Sequence, residues 1–540
     1  MISFEERSAV TAQRGMVTSP HYLASEAGAE VLRAGGSAVD AALATAAVLA
    51  VVYPHMTGMG GDAFWLIHDP LKGQVRYLDG GGRAAARADI GYFTDRGMAE
   101  VPFRGILPAT LTTPGAVSSW SAAHTAYGKL PMQRNLDAAI GYAKEGYPAS
   151  ERLAGWIQLT HSDLQSFAGW RNLFMPQGQV PAAGSTLRNP ALARTLQAVA
   201  AGGAQAFYAG EVGQSLAAFS QQSGGFFDLS DLAKQQAPWG QPLVGQYRDL
   251  TLYQTPAPTQ GFTVLQMLKL VEPFELHRRD LNDPQRIHCM VQAKQISYHD
   301  RDRWLGDPAF VDVPMKHLLS DAYLNERRAL IDPDKALAWD KVPSYGSLTG
   351  DTVYIAAVDA QGQAVSLIHS LYGAFGSGMV DETTGVLLQN RSAYFSLTPG
   401  HPNALAPGKV PLHTLIASIG IRANKLWSVM GCMGADGQPQ IQFQTYSAMV
   451  DHGLDIQQAV QSPRWLSGRF ALGEARDTLH VESRLGEPTL AALHQRGHLL
   501  NRWGPWNELA GHAHGITLDP VSGVRTGGAD PRSDGQAVGA

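Results

Sequence analysis

Thr352 opens the β-forming run Thr352-Val353-Tyr354-Ile355, directly after the loop Pro343–Gly350 and Asp351. Taken alone, the segment reads as a turn followed by a good strand former. A second reading is chemical. If the chain breaks between Asp351 and Thr352, Thr352 gains a free α-amine beside its own hydroxyl. An α-amine titrates near ~8, so at neutral pH it can take the hydroxyl proton. The outcome is an amide-hydrolysing nucleophile that needs no histidine.

The other constellations are weaker. No H-E-x-x-H and no G-x-S-x-G nucleophile elbow occurs. His512-Ala513-His514 offers two possible metal ligands, but no third histidine or carboxylate stands at ligand spacing, and a surface loop is expected there. Cys432 lies in a glycine-rich turn and reads as a small buried thiol rather than a nucleophile. Gly58-Met59-Gly60-Gly61-Asp62 lacks the spacing and trailing Lys of a phosphate loop and reads as a tight structural turn. No metal site and no cofactor are expected.

Around these residues the chain alternates helix and strand signals. A helix over His21–Ala34 stops at Gly35-Gly36. Ser37, with Asp40 three residues on, caps a second helix that ends before Pro54. That helix is apolar nearly all round, so it belongs in the interior. Strands follow over Ala63–His68 and Gln74–Leu78. From Thr113 to Leu330 helices dominate, including Leu136–Glu145, Asn189–Ala201 and, after the rigid turn Pro256–Gly261, Phe262–Leu270. From Thr352 the chain turns β-rich, with a hairpin Val353–Val358 and Ala364–His369 around Asp359–Gly362. This order predicts a layered α/β structure with a largely antiparallel sheet.

Composition narrows the function. Only 16% of the 540 residues are charged and 44% are apolar, which excludes disorder as the general state. With 42 Lys and Arg against 47 Asp and Glu, the net charge is −5. No strong basic field exists to hold nucleic acid or an acidic membrane, so neither is an expected partner. Two cysteines are too few for a disulfide framework, although a single disulfide stays open. The longest apolar run, Ala41–Tyr53, is short of the ~20 residues of a membrane span. The N-terminal stretch Met1–Arg7 is acidic and unlike a secretory signal, so a cytoplasmic location is expected.

The motifs then carry a resemblance. In order they are Gly35-Gly36-Ser37-Ala38-Val39-Asp40-Ala41-Ala42, Gly58-Met59-Gly60-Gly61, Thr113-Pro114-Gly115-Ala116-Val117, Phe207-Tyr208-Ala209-Gly210 and Asp228-Leu229-Ser230-Asp231-Leu232. Phe375-Gly376-Ser377-Gly378, Pro411-Leu412-His413-Thr414 and Asp530-Pro531-Arg532 complete the series. Each is weak alone. Together, from about Gly15 to the C-terminus, they resemble the γ-glutamyltransferase family of N-terminal-nucleophile hydrolases. The resemblance implies an α/β (α+β) protein with the four-layer αββα fold and stacked, largely antiparallel sheets. It implies a proenzyme cut between Asp351 and Thr352 into residues 1–351, the large subunit, and 352–540, the small one. The two would stay together as a heterodimer and one αββα unit, with a dimer of these as a further option. Thr352 matches the nucleophile and Ser370 a hydroxyl that hydrogen-bonds it. Gly434 and Ala435 match the paired glycines whose N–H groups hold the oxyanion.

The same resemblance marks departures. The arginine that binds a glutamyl carboxylate corresponds to Gly81, and the aspartate that binds the ammonium to Tyr394. Tyr372 and Arg391 replace two amide side chains, and His413 and Thr414 replace two serines. The stretch Pro399–Pro411 is shorter than the lid loop of glutathione-acting members. A buried ammonium without a carboxylate is costly, so γ-glutamyl recognition is not expected. Arg391 adds a cation, Tyr372 and Tyr394 narrow the pocket, and Arg83 could reach in from another angle. Such a site fits a small anionic amide. The chain most resembles the oxamate amidohydrolases of purine (allantoin) nitrogen catabolism. The alternatives are a γ-glutamyltransferase, glutathione hydrolase or acylase of the same family, and an uncleaved, inactive binding scaffold.

Overall fold

In the computed structural model, residues 5–105, 112–338, 351–468 and 478–540 are described. Two seven-stranded sheets stack face to face. The first runs in space Gln536–Gly539, Met16–Ser19, Asp351–Val358, Ala364–Tyr372, Asp62–Asp69, Gln74–Gly80 and Trp239–Gly240. The second runs Val10–Ala12, Arg525–Ala529, Ala513–Leu518, Lys425–Cys432, Ala417–Arg422, Leu250–Gln254 and Leu243–Tyr247. Every pairing within these two sheets is antiparallel. Segments before and after Thr352 interleave in both.

Strand alternation builds the layers. Along the strand that carries Thr352, Val353, Ile355 and Ala357 pack toward one helical layer, while Tyr354, Ala356 and Val358 pack between the sheets. The first helical layer centres on Ala38–Val52, in which every residue is buried, as its all-round apolar sequence predicts. Ser37 caps it through a reciprocal pair with Asp40. The second layer holds Phe262–Val271, Pro284–Trp304 and Gln438–His452 against the far face of the second sheet. The result is the expected αββα stack.

Several details depart from the sequence reading. Leu243–Tyr247 and Leu250–Gln254 are strands inside the segment read as mostly helical. Gln438–His452 is a helix in the segment read as β-rich. Its glutamines hid its burial: Gln438, Gln440 and Gln442 are buried but bonded, for example to Ile416 N–H, Ser467 and Gln254. His512 and His514 do not lie on a surface loop. Both are fully buried, with His514 inside the strand Ala513–Leu518. Among the described residues no cluster of three or more His, Cys, Asp or Glu could hold a metal ion. Cys289 and Cys432 are both free and buried, and burial pushes the Cys432 thiol far up, away from thiolate chemistry. No described helix is long and apolar enough to cross a membrane.

Candidate active site

Three adjacent strands converge at one end of the first sheet, carrying Thr352, Ser370 and Asp62. Ser370 pairs directly with Asp62. Between Thr352 and Ser370 the register slips: Asp351 faces Tyr372, but Val353 faces His369. Thr352 therefore stands against two residues, Ser370 and Leu371, in a bulge that re-aims its side chain. Its Oγ1 donates to Ser370 Oγ at 3.1 Å, and both residues are buried. Ser370 Oγ also accepts the Tyr372 N–H at 2.8 Å and Arg391 Nη2 at 3.4 Å. Three donors aimed at one hydroxyl oxygen leave Ser370 little freedom to turn.

Arg391 and Tyr394 come from one 3₁₀ turn, Arg391–Tyr394. Positions three apart eclipse in a 3₁₀ turn, so both side chains leave on the same side. Arg391 is fully buried. Its Nη1 donates to Thr414 Oγ1 at 3.1 Å, its guanidinium lies 4.4 Å from the centre of the Tyr372 ring, and its Nε finds no acceptor among the described residues. No described carboxylate lies within 4.0 Å of it. A buried guanidinium held by hydroxyls and a ring face, rather than by an acid, keeps its charge available to an anion. Tyr372 meets Tyr394 edge-on at 5.6 Å. Tyr372 itself sits at φ 81°, where a bulky residue is strained by about 1–3 kcal/mol.

Tyr394 donates to Asp436 Oδ1 at 2.8 Å, the same oxygen that receives Arg301 Nη1 at 2.7 Å. Tyr298 donates to the Asp436 carbonyl. Arg301 Nη1 also reaches Gln260 Oε1 at 2.8 Å, while Gln260 Nε2 donates to the carbonyls of Thr414 (2.8 Å) and Ala435 (3.1 Å). One polar chain thus ties Arg391 to the turn that holds Gly434 and Ala435. That turn follows the strand Lys425–Cys432, which stacks over the strand of Thr352: a Cβ on Gly431 would strike the Tyr354 ring at 2.4 Å. Gly434 has φ 137° and Ala435 φ 45°, so the backbone leaves the extended conformation of the strand at these two residues. The positive φ at Ala435 costs energy that glycine would not, and the turn keeps it regardless.

His413 and Thr414 are set by the rigid turn read from the sequence. His413 N–H bonds Pro258 O at 2.9 Å, and Gln260 N–H bonds His413 O at 3.1 Å. The His413 ring meets Phe64 edge-on at 4.7 Å and lies 3.5 Å from Asp62 Oδ2. Burial, with Arg391 near, holds His413 neutral, well below its ordinary value. Asp62 was passed over in sequence as part of a glycine turn. Its Oδ1 accepts from Gly82 N–H (2.8 Å), Gly115 N–H (3.1 Å) and Gln389 Nε2 (3.1 Å). Burial still raises its pKa to about 7, against the pull of Arg391 and those bonds. Its position straight after Gly60-Gly61, at the head of a strand, was the available signal.

Arg83 goes elsewhere. Its neighbour Gly82 turns inward to Asp62, so Arg83 projects the other way, toward Gly408 O at 3.3 Å and Asp307 at 3.9 Å, nearly half exposed. A Cβ on Gly81 would sit about 3.0 Å from Asp79 and 3.1 Å from both Phe64 and Val410, all side-chain atoms that would have to give by a few tenths of an ångström.

The family model described as gamma-glutamyltranspeptidase matches residues 24–540. The chain is 37% identical over 531 residues to a glutathione hydrolase-like YwrD proenzyme of Bacillus subtilis, covering 98% of this chain and 99% of that one. It is 38% identical over 530 residues to an oxamate amidohydrolase proenzyme of Klebsiella pneumoniae, covering 97% and 98%. A crystal structure of a cephalosporin acylase from Bacillus halodurans superposes with a TM-score of 0.92 at 34% identity, covering 100% of this chain and 98% of the other.

Proposed function

The chain belongs to the gamma-glutamyltranspeptidase family, and we propose that it is a self-processing threonine amidohydrolase whose substrate is a small anionic amide, oxamate first. The observation that carries this reading is a fully buried Arg391, without a described carboxylate within 4.0 Å, bonded to the same Ser370 hydroxyl that receives Thr352.

The steps follow from the groups present. In the precursor, Thr352 Oγ1 attacks the Asp351 carbonyl. The acyl group moves from nitrogen to oxygen, and water releases the ester. Residues 1–351 and 352–540 then remain interleaved through both sheets. In turnover the new α-amine takes the Thr352 hydroxyl proton as Oγ1 attacks the substrate amide. The N–H groups of Gly434 and Ala435 would receive the oxyanion. The amine returns its proton to the departing ammonia, leaving an oxalyl ester on Thr352. Water, deprotonated by the same amine, cleaves that ester to oxalate. Arg391 would hold the carboxylate next to the reacting carbon, with Thr414 fixing its other arm. Tyr372 and Tyr394 limit the acyl group to a few atoms.

Loss of the glutamyl readers supports the choice against glutathione. Tyr394 is already bonded to Asp436, and Gly81 offers no side chain to hold a carboxylate. An acylase activity is the second reading, favoured by the close superposition on a cephalosporin acylase. Ammonia release from oxamate by the processed protein, with Thr352→Ala as the blank, tests the first. Thr352-dependent release faster than from neutral small amides is the expected result. Processed protein that cleaves only larger acyl amides would replace oxamate with the acylase reading.

A further inference from the structure

Asp62 and His413 form a buried pair that no step above uses. Asp62 Oδ1 is fully engaged by three N–H donors, but Oδ2 has no hydrogen-bond partner among the described residues and faces His413 Nε2 at 3.5 Å. Neither ring nitrogen of His413 has a partner among the described residues. Arg391 is bonded to the residues next to both: to Ser370, which pairs with Asp62, and to Thr414, which follows His413, and it has no described ion-pair partner within 4.0 Å. The free protein therefore holds one buried cation and one buried carboxyl that approach without touching.

We propose that Asp62, steadied by His413, is the proton-accepting counter-charge of Arg391: above neutral pH it is ionised while the anion site is empty and takes up one proton when a substrate carboxylate reaches Arg391. The proposal rests on the reading of Arg391 as an anion site. Its logic is charge conservation in a dry interior. Arg391 and ionised Asp62 balance one another. A second carboxylate at Arg391 would leave a net negative charge without water, and a proton on Asp62 Oδ2 removes it. Oδ2 is the oxygen left open for that proton, and neutral His413 is the polar group placed to accept a bond from it. A carboxyl already near neutral titration is poised for the exchange. The other groups facing the pair do not replace it. Tyr208 is held by Pro114 O and Ser118 N–H. Asp79, on the neighbouring strand, is held by Gly81 N–H and feels Arg83 rather than Arg391.

The test uses the processed wild-type protein and oxalate, an unreactive dianion. Calorimetry in two buffers of different ionisation enthalpy counts the protons taken up. Near pH 8, uptake should approach one proton per site, and affinity should fall by up to tenfold per pH unit above about 7. In Asp62→Asn the uptake should vanish and affinity should stay flat with pH. An infrared difference spectrum of the wild type, which needs no variant, should show a protonated-carboxyl stretch on oxalate binding. Uptake that survives Asp62→Asn would belong to the Thr352 α-amine and overturn the assignment, as would pH-independent binding in the wild type. If Thr352-dependent ammonia release from oxamate is present while these signals are absent, the Asp62 assignment alone falls. If neither release nor oxalate binding occurs, the anion-site reading falls first and the assignment with it.

Discussion

The Thr352 hydroxyl and the Arg391 guanidinium meet on a single atom, Ser370 Oγ, from 3.1 Å and 3.4 Å. The residue proposed to attack and the residue proposed to read charge are therefore one side chain apart. On the proposed reading the acyl group is short, because a carboxylate at Arg391 would leave little length before the atom under attack.

The first prediction concerns the break itself. Wild-type protein should separate under denaturing conditions into pieces of about 38 and 20 kDa from the 57.9 kDa chain. Thr352→Ala should stay whole and inactive. Thr352→Ser keeps a hydroxyl and should be cut, more slowly. Denaturing mass spectrometry over a day of incubation reads all three. Cleavage or amidase activity in Thr352→Ala would remove Thr352 from the mechanism.

Ser370→Ala removes the shared acceptor and strands three donors: the Thr352 hydroxyl, the Tyr372 N–H and one arm of Arg391. An unsatisfied buried donor costs about 1–3 kcal/mol. Both self-cleavage and turnover should slow by roughly 10- to 100-fold, with the fold retained because the side chain shrinks rather than grows. A time course of fragment appearance measures the first effect and ammonia release the second. Wild-type rates in this variant would make Ser370 an ordinary strand residue.

Arg391→Gln keeps hydrogen-bonding capacity and removes charge. The KM for oxamate should rise by about 100-fold, or roughly 2.7 kcal/mol, while a neutral amide of the same size should be little affected. Steady-state kinetics on the two substrates separates charge reading from a packing defect, which would slow both alike.

Much of this was legible in the residues. The buried helix Ala38–Val52, its Ser37 cap and the hairpin after Thr352 follow from local pattern, because each states its burial through apolar periodicity. The helix Gln438–His452 does not, because its glutamines are buried by bonding to distant backbone, which no window of sequence contains. Asp62 was missed for the same reason: its partners Gly82, Gly115, Gln389 and His413 come from four separate segments. Arg83 was expected inward because it lies two positions from Gly81, but its side chain runs outward to Gly408 O and Asp307, contacts that its place in sequence does not reveal.

Restoring an arginine at Gly81 should require its neighbours to shift. At Gly81 even a methyl group meets Asp79, Phe64 and Val410 at about 3.0–3.1 Å. Gly81→Arg should lower stability by about 1–3 kcal/mol, the range for overpacking. With Tyr394→Asp added, the new carboxylate would be buried near Asp436, which already occupies Arg301. The double variant should therefore show no useful glutathione hydrolysis and a lower thermal midpoint. Calorimetric scanning with a glutamate-release assay checks both.

Acid should weaken the protein through its buried histidines. Burial holds His21 and His369 at about 4, and His498 and His514 at about 3, against an ordinary 6.5. These groups are neutral in both states above 6.5, so the stability they permit is fully present there. Below 6.5 the unfolded chain binds protons that the folded one refuses, and stability falls until the pH passes the folded values. Each histidine contributes up to about 1.4 kcal/mol per pH unit in that window. Two of the four cease to matter near pH 4 and the others near pH 3. Asp62, raised to about 7, and Asp79, raised to about 6, bind protons in the folded state first and offset part of this loss, so urea midpoints measured from pH 7.5 down to 4.5 should fall below about 6.5 by less than the four histidines alone would give. Replacing His514 by Gln, which cannot ionise, should shallow the drop by about one proton's slope without changing its onset. A His514→Gln midpoint that falls as steeply as the wild type's from 6.5 to 4.5 would mean that the His514 ring is charged in the folded protein, although neither of its nitrogens has a partner among the described residues.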